Sequence, residues 1–378
     1  MKLAWIAFSE RGEKLGRFLA DVLGGSVVRG GRDVSLKDWT KARFAVEDGL
    51  IFIGACGIAV RAVAPYLESK TTDPAVVVLD ENGQFCISLL SGHLGGANDL
   101  TRHIAALCGA TPVITTATDS NGLFAVDEWA RRQGCVIRNP ERIKSVSSKL
   151  LAGGYIRILS DWEIAGEAPA RVEYYLADRM DGVATEPDVR LSMRYAQNRM
   201  GGVVTEPDVH LSMRYAQNRM DGVVTEPDVR LSMRSAQIQA LQVVPRLLVL
   251  GVGCRRGTYK EALDRFFKGL METAGLLPEA VCRICSIDLK ADEPGLVAFC
   301  AEKGLSLTTF TSEELNAVEG IFTASAFVKD TVGVDNVCER SAVLGSGGRL
   351  ILRKTAGNGI TMALAERPFA PDWRWTYE

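Results

Sequence analysis

Short apolar runs alternate with amphipathic segments across residues 1–130, and the same alternation resumes at Arg246 and continues to about Ala365. That rhythm constrains the chain more than any other feature. Apolar runs of roughly four to eight residues suit strands buried on both faces. Strands separated by helical segments build a mainly parallel sheet with helices on both sides. In the first stretch Lys2–Phe8 reads as a strand, with Ser9 capping a helix that Gly24-Gly25 ends. Leu50–Ile53 reads as a second strand and Gly57–Leu67 as a helix. Asn82-Gly83 marks a hairpin between Ala75–Asp80 and Gln84–Leu89. Ala97–Cys108 is helical in period, Pro112–Thr116 suits a strand and Phe124–Gln133 a helix.

After Arg246, strands are expected at Leu247–Leu250, Val281–Ile287, Leu305–Phe310 and Arg349–Arg353. Helices are expected at Thr258–Ala274, Pro294–Lys303, Ser312–Val318 and Val334–Leu344. The expected architecture is two Rossmann-like three-layer α/β domains, 1–130 and 246–378, joined by a smaller middle region, 131–245. Cys135–Arg138 and Tyr155–Ser160 suit strands in that region, with a helix at Glu141–Leu151. The Pro- and Trp-rich end, Arg367–Glu378, is expected along the surface.

The middle region carries an internal repeat over 179–237. Arg179–Asn198, Arg199–Asn218 and Arg219–Gln237 are near-identical units with a period of 20 residues. Each holds a few dispersed apolar residues around a Glu-Pro-Asp. Ordering a residue costs about 1–2 kcal/mol, so the array is expected to be a mobile insertion without a catalytic part. His210 stands where the other units have Arg190 and Arg230, and is expected to be exposed.

Composition closes off several function classes. A net charge of -2 lacks the basic excess of a general nucleic-acid binder. No apolar run approaches the ~20 residues that span a bilayer, and the apolar start meets Ser9, Glu10 and Arg11, which suits a strand better than a signal peptide. Nine dispersed cysteines, an odd number, suit reduced thiols in a cytoplasmic protein. The lone C-x-x-C, Cys282 to Cys285, sits in a strand-like run and is expected to be structural. No P-loop, H-E-x-x-H or G-x-S-x-G occurs.

Chemistry is expected in the loops between strand and helix, because ligands bind beyond the carboxyl ends of strands in doubly wound sheets. Gly54, Cys56 and Gly57 form one such crossing, with Arg61 one turn into the helix, where it can pair with a carboxylate; an ordinary tight turn fits equally. Lys70 and Asp73 flank a second loop that suits either a polar pocket or a solvated surface. The most informative loop runs from Leu89 to Arg102. There Gly92, Gly95 and Gly96 surround His93, whose side chain suits proton transfer near neutral pH. Asn98 and Asp99 stand at the helix start, where capping competes with a binding role, and Arg102 follows. A Gly251-x-Gly253-x-x-x-Gly257 loop with Arg255 misses the dinucleotide fingerprint by one residue and lacks its acidic partner, yet can hold an anion. Ser286 and Lys290 lie at another strand-to-helix crossing.

Taken together, these loops resemble the cobalt-precorrin-5A hydrolase family of anaerobic cobalamin (vitamin B12) biosynthesis. The resemblance rests on GACGIAVRAVAPYLESKTTDPAVVVLDENGQFCISLLSGHLGGANDLTRHIA and PVITTATD near the amino end. Near the carboxyl end it rests on LVLGVGCRRGT, SIDLKADEPGL and AVLGSGGRLILRKTAGNGITMALA. It covers 1–130 and 246–366, in the family's order; the repeats depart from it.

The resemblance implies a reaction on a cobalt-bearing corrin intermediate with a δ-lactone between an acetate side chain and C20. Water opens the lactone, and C20 leaves with its methyl group as acetaldehyde, giving cobalt-precorrin-5B. On this reading His93 is the base and acid, and the N–H groups of Gly95 and Gly96 meet the oxyanion. Lys70 and Asp73 are further catalytic candidates. Arg61, Arg102, Arg255 and Lys290 clamp substrate carboxylates, with Gly54, Cys56, Gly57, Gly92, Asn98, Asp99, Gly253 and Ser286 lining the ligand. The cobalt arrives inside the substrate, so no cofactor or protein-held metal is expected. Neighbouring enzymes of the pathway are conceivable partners; nucleic acid and membrane are not. Two other readings stay open: a corrinoid carrier without chemistry, and a nucleotide-dependent oxidoreductase on the Gly253 loop.

Overall fold

In the computed structural model, which describes residues 1–69, 72–177, 227–235 and 239–375, three sheets follow one another along the chain. The first has strands β1 (Leu3–Ala7), β2 (Ser26–Arg29), β3 (Gly49–Ile53), β4 (Ala75–Leu79), β5 (Phe85–Leu90) and β6 (Thr111–Val113). Their order is β2-β1-β3-β4-β5-β6, parallel except for the β4–β5 hairpin at Asn82-Gly83. β1, β3 and β4 are buried along their whole length, as their unbroken apolar runs require. Helices α1 (Glu10–Leu23), α2 (Leu36–Arg43), α3 (Cys56–Val63) and α4 (Ala97–Cys108) cover the two faces, each over its own apolar cluster. Ser9 caps α1, its hydroxyl accepting from Gly12 N, and Gly24 ends it with φ +83°. The weakly patterned β2 and α2 were not foreseen.

The short helices α5 (Ala117–Ser120) and α6 (Val126–Arg132) lead into the middle sheet. It contains β7 (Cys135–Ile137), β8 (Ile156–Ser160), β9 (Val172–Leu176), β10 (Val229–Leu231) and β11 (Leu241–Pro245), with α7 (Ile143–Leu151) packed on it. The order is β7-β11-β10-β8-β9, which makes β10 the central strand.

β10 belongs to the third repeat unit, so for that part of the array the expectation of a mobile insertion fails. Val229 and Leu231 are fully buried and Met233 nearly so. Arg230 and Ser232 alternate with them and bond the Asp161 carboxylate, each at 2.5 Å. The Asp228 carboxylate accepts from Lys149 Nζ at 2.8 Å and Arg157 N at 2.9 Å. The period-2 pattern V-x-L-x-M supplies a strand core that twenty-residue averages dilute. His210 and the whole of the other two units lie outside the described residues.

The third sheet has β12 (Leu248–Cys254), β13 (Val281–Ile287), β14 (Leu307–Phe310), β15 (Arg349–Gly357) and β16 (Ile360–Glu366), ordered β14-β13-β12-β16-β15. Helices α8 (Lys260–Ala274), α9 (Pro294–Lys303), α10 (Ser312–Asn316), α11 (Ala326–Val332) and α12 (Val337–Ser346) accompany it. Cys285 is buried in β13, where burial lifts its thiol to about 12; all nine cysteines are free of disulfides. Among the described residues, no helix is long and apolar enough to cross a membrane.

The chain then leaves the third sheet and returns to the middle one. Phe369 meets Trp162 edge to face at 5.4 Å, and Trp373 stacks on Trp129 at 5.7 Å with 19° between the rings. Trp373 is 6% exposed. The described part of the tail runs along the surface as expected, with Arg367, Pro368, Ala370 and Arg374 exposed, but Pro371 and Trp373 are buried and Trp373 joins the middle core.

Candidate active site

β5 and β6 run parallel, side by side, and their carboxyl ends open toward α6. The turn after β5 is tight. Ser91 takes a left-handed φ of +57°. A Cβ on Gly95 would lie 2.4 Å from that of Ser91, and one on Gly92 2.7 Å from Asn98 Oδ1. These glycines thus serve close packing of the turn. Gly96, with φ +81°, starts α4, and its N–H donates to His93 O at 2.9 Å. That bond commits a donor expected at the oxyanion.

The turn projects His93 between carboxylates from two other segments. Nδ1 lies 3.0 Å from Asp127 Oδ2 and Nε2 2.8 Å from Asp119 Oδ2. Thr118 Oγ1 is 3.3 Å from Nε2, and Glu128 Oε2 is 4.0 Å away. Asp119 sits in α5, just beyond β6; Asp127 and Glu128 occupy the first turn of α6, where the helix dipole favours anions. His93 is 15% exposed at its side chain, so the cluster is enclosed yet reachable.

The helix that His93 precedes supplies the next layer. Neither Asn98 nor Asp99 caps α4. Asn98, fully buried, donates from Nδ2 to Asp119 Oδ2 and to Thr116 Oγ1, both at 3.2 Å, and accepts from Ser88 Oγ at 2.7 Å. Thr116 Oγ1 donates to Asp119 as well. Arg102 binds Asp119 Oδ1 at 2.5 Å and reaches Asp99 at 3.3 Å and Glu128 at 3.4 Å. Asp99 also pairs with Arg131, and with Arg132 at 2.7 Å. Four carboxylates thus meet three guanidiniums and one imidazole, and with all four ionised a proton on the imidazole balances the charge.

The electrostatics agree. Burial works to lower the pKa of His93, but hydrogen bonds to Asp119 and Asp127, and their charges, outweigh it and lift the value to about 10. Burial works to raise Asp119, yet the bonds from His93 and Thr116, with Arg102 beyond them, hold it well below the usual carboxylate range. Burial raises Glu128, helped by the charge of Asp119. A pKa raised this far favours the imidazolium, the acid half of the base-and-acid role expected for His93. His93, Asp119 and Glu128 offer ligand atoms within 4.8 Å of one another and could hold a divalent cation, although the arginines already neutralise these carboxylates.

Other expected site residues are placed elsewhere. Asp73 accepts from Glu68 N and Ser69 N at 3.1 and 3.2 Å and braces its own loop; Lys70 lies outside the described residues. Gly54 packs against Phe8 and donates its N–H to Leu79 O at 2.8 Å, while Cys56 and Gly57 begin α3. Exposed Arg61 turns back on Gly57 O at 3.3 Å. Gly251 and Gly253 are not in a loop, because β12 continues to Cys254. Gly253 pairs with Thr361, and a Cβ on Gly251 would strike Cys338 O at 1.8 Å. Ser286 Oγ donates to Val252 O at 2.8 Å, a tie between strands. Lys290 pairs with Glu293 at 2.7 Å, and Glu293 accepts from Gly257 N. Arg255 is exposed, its N–H donating to Gly359 O at 3.0 Å and its stem lying against Gly359. These contacts hold the third sheet and its loops together, and none of them joins the His93 cluster.

Comparison with known proteins bears on this arrangement. The chain is 34% identical over 336 residues to the cobalt-precorrin-5A hydrolase of Salmonella typhimurium, spanning 88% of this chain and 86% of that protein. The chain belongs to the cobalt-precorrin-5A hydrolase family. A second member, from Priestia megaterium, is 30% identical over 334 residues, covering 86% and 80% of the two chains. Family models described as cobalamin synthesis G N-terminal, cobalamin biosynthesis central region and cobalamin synthesis G C-terminus match residues 38–119, 124–210 and 248–365. A solved cobalamin biosynthesis protein G homolog from Sulfolobus solfataricus covers 97% of each chain, at 21% identity and a TM-score of 0.38. The family is one of hydrolases in cobalamin biosynthesis. Within the family frame, the N-terminal match ends at Asp119 and the central match begins at Phe124, so the His93 cluster straddles their junction.

Proposed function

We propose that this protein opens the δ-lactone of cobalt-precorrin-5A and releases acetaldehyde to give cobalt-precorrin-5B. The observation that carries the reading is His93 held between Asp119 and Asp127 at the carboxyl ends of β5 and β6. Asp127 fixes Nδ1, leaving Nε2 and Asp119 as a coupled acid and base. A substrate that parts this pair loosens each partner's hold on the other and brings both pKa values toward the working range.

In the first step Asp119 takes a proton from the attacking water and imidazolium His93 gives one to the departing lactone oxygen. The water oxygen ends in the acetate carboxylate. Once the lactone is open the pair closes again, and the proton on Asp119 returns to Nε2, which lies 2.8 Å away in the ligand-free protein. In the second step Asp119 takes the proton of the new hydroxyl as the carbon–carbon bond breaks. The bonding pair passes into the macrocycle, which His93 protonates, and the two-carbon fragment leaves as acetaldehyde. Gly95 N–H and Arg102 are the nearby candidates for the oxyanion and for a substrate carboxylate.

The cobalt enters with the substrate, so this reading asks for no resident metal or cofactor. It also places the protein in the cytoplasm, where neighbouring pathway enzymes would supply and collect labile intermediates. The decisive experiment incubates the protein with cobalt-precorrin-5A and traps acetaldehyde. Normal release by H93A would sink the catalytic assignment. A corrinoid carrier is the alternative, and a wild-type protein that binds the substrate without releasing acetaldehyde would favour it.

A further inference from the structure

Beside the His93 cluster lies a cavity of about 260 Å³ whose floor is Arg102 and Asp119 and whose apolar walls include Ile114, Leu123 and Trp375. Trp375 comes from the far end of the chain. It stands edge to face with Phe124 at 5.4 Å. The strap carrying it is anchored twice just upstream. Trp129 Nε1 donates to Asp372 O at 2.6 Å, and Ala165 N donates to Pro371 O at 2.8 Å. Gln133 Nε2 and Oε1 bond Asp372 Oδ1 and Asp372 N. Between anchor and cavity, Trp373 is buried in the middle core while Trp375 is only half-buried. The strap therefore spends one indole on holding itself down and presents the other at the opening.

We infer that the carboxyl-terminal strap forms one wall of the substrate site, with Trp375 packing against the uncharged, methyl-bearing lactone edge of the corrinoid. The inference rests on the proposed reaction and names the part of the substrate that this cavity takes. The volume is below the usual range for a whole drug-sized ligand, so it admits an edge and leaves the macrocycle outside. Its make-up suits that edge: apolar surface for a ring methyl, an aromatic wall for a flat conjugated system, and the reacting carboxylate Asp119 at the floor. Trp375 is a positioning residue, and takes no part in proton transfer.

The test compares the full-length wild-type protein with W375A and W375F, using cobalt-precorrin-5A turnover and equilibrium dialysis of the same compound. W375A is expected to raise KM roughly tenfold with kcat changed less than about twofold, the size of one lost aromatic contact. W375F should recover most of that loss, and all three proteins should melt together. An unchanged KM in W375A overturns the inference and leaves the reaction standing. A rise in KM that runs parallel to a fall in melting temperature in both variants assigns Trp375 to the core and also overturns it. A wild type that binds but does not turn over removes the reaction alone; the affinity of W375A then decides, with unchanged dialysis binding as the overturning result. A wild type that does not bind removes both.

Discussion

Asp127 Oδ2 lies 3.0 Å from His93 Nδ1, although His93 follows a strand of the first sheet and Asp127 starts the helix that leads into the second. The contact fixes the imidazole's rotation and aims Nε2 at Asp119. A D127N substitution keeps the shape and removes the charge. It is expected to lower the rate of acetaldehyde release by about 100-fold, within the span assigned to a general acid–base group, with KM changed far less. Steady-state kinetics with aldehyde trapping decides; a D127N rate within threefold of wild type, as roughly a single bland contact would give, refutes the positioning role.

The raised pKa of His93 has a stability consequence of definite sign. The unfolded imidazole titrates near 6.5 and the folded one near 10. Between those values the folded state holds a proton that the unfolded state has lost, so stability contributed by the pair is complete below 6.5 and drains away as pH rises toward 10. Urea unfolding of wild type and H93Q across this window should show the gap between them closing with increasing pH. A constant gap would contradict the ion-paired imidazolium.

Leu231 supplies a third test. It is fully buried in the central strand of the middle sheet. Leu231→Ala should destabilise the protein by about 2–5 kcal/mol, the usual cost of a truncated core leucine. Denaturant titration followed by tryptophan fluorescence measures this, since Trp129 and Trp373 share that core. A loss under about 0.5 kcal/mol is what a surface position gives, and would remove the third repeat unit from the core.

Gly251 separates packing from ligand binding in the third sheet. An added methyl meets the Cys338 carbonyl in α12 and must push helix from strand. Gly251→Ala is expected to cost about 1–3 kcal/mol or more through overpacking. Because the residue takes no part in the proposed chemistry, kcat of the folded fraction should be unaltered. A stable G251A protein with impaired substrate binding would restore the loop reading.

The alternation of strand and helix revealed both outer sheets, because apolar runs and capping residues act within a few positions of one another. The turn around His93 was legible for the same reason. Its partners were not: Asp119 and Asp127 lie 26 and 34 residues onward, and a single sequence carries no mark of which distant carboxylate will face a given imidazole. A local signal for α6 did exist, in two adjacent acids in the first turn of a helix that buries Val126, Trp129 and Ala130 and ends on Arg131 and Arg132. Gly251 and Gly253 misled because a strand that must admit a helix closely uses the same residue as a loop that must admit a phosphate. Asn98 and Asp99 stand where caps stand, yet a helix opened by Gly96 leaves their side chains for the site.

The sequence of β10 is written three times in the chain. Asp188-Val-Arg-Leu-Ser-Met193 and Asp208-Val-His-Leu-Ser-Met213 precede the Asp228–Met233 segment that fills the slot between β8 and β11. One berth has three claimants, and seating an earlier one would leave the sheet's pattern intact while moving twenty or forty residues from one flank of the strand to the other. Only the second claimant differs within the strand, bringing an imidazole where Asp161 now receives a guanidinium. The near-identity of the three units therefore means that the chain carries the composition of its central strand in more than one place, while only the last copy is seen between β8 and β11 among the described residues.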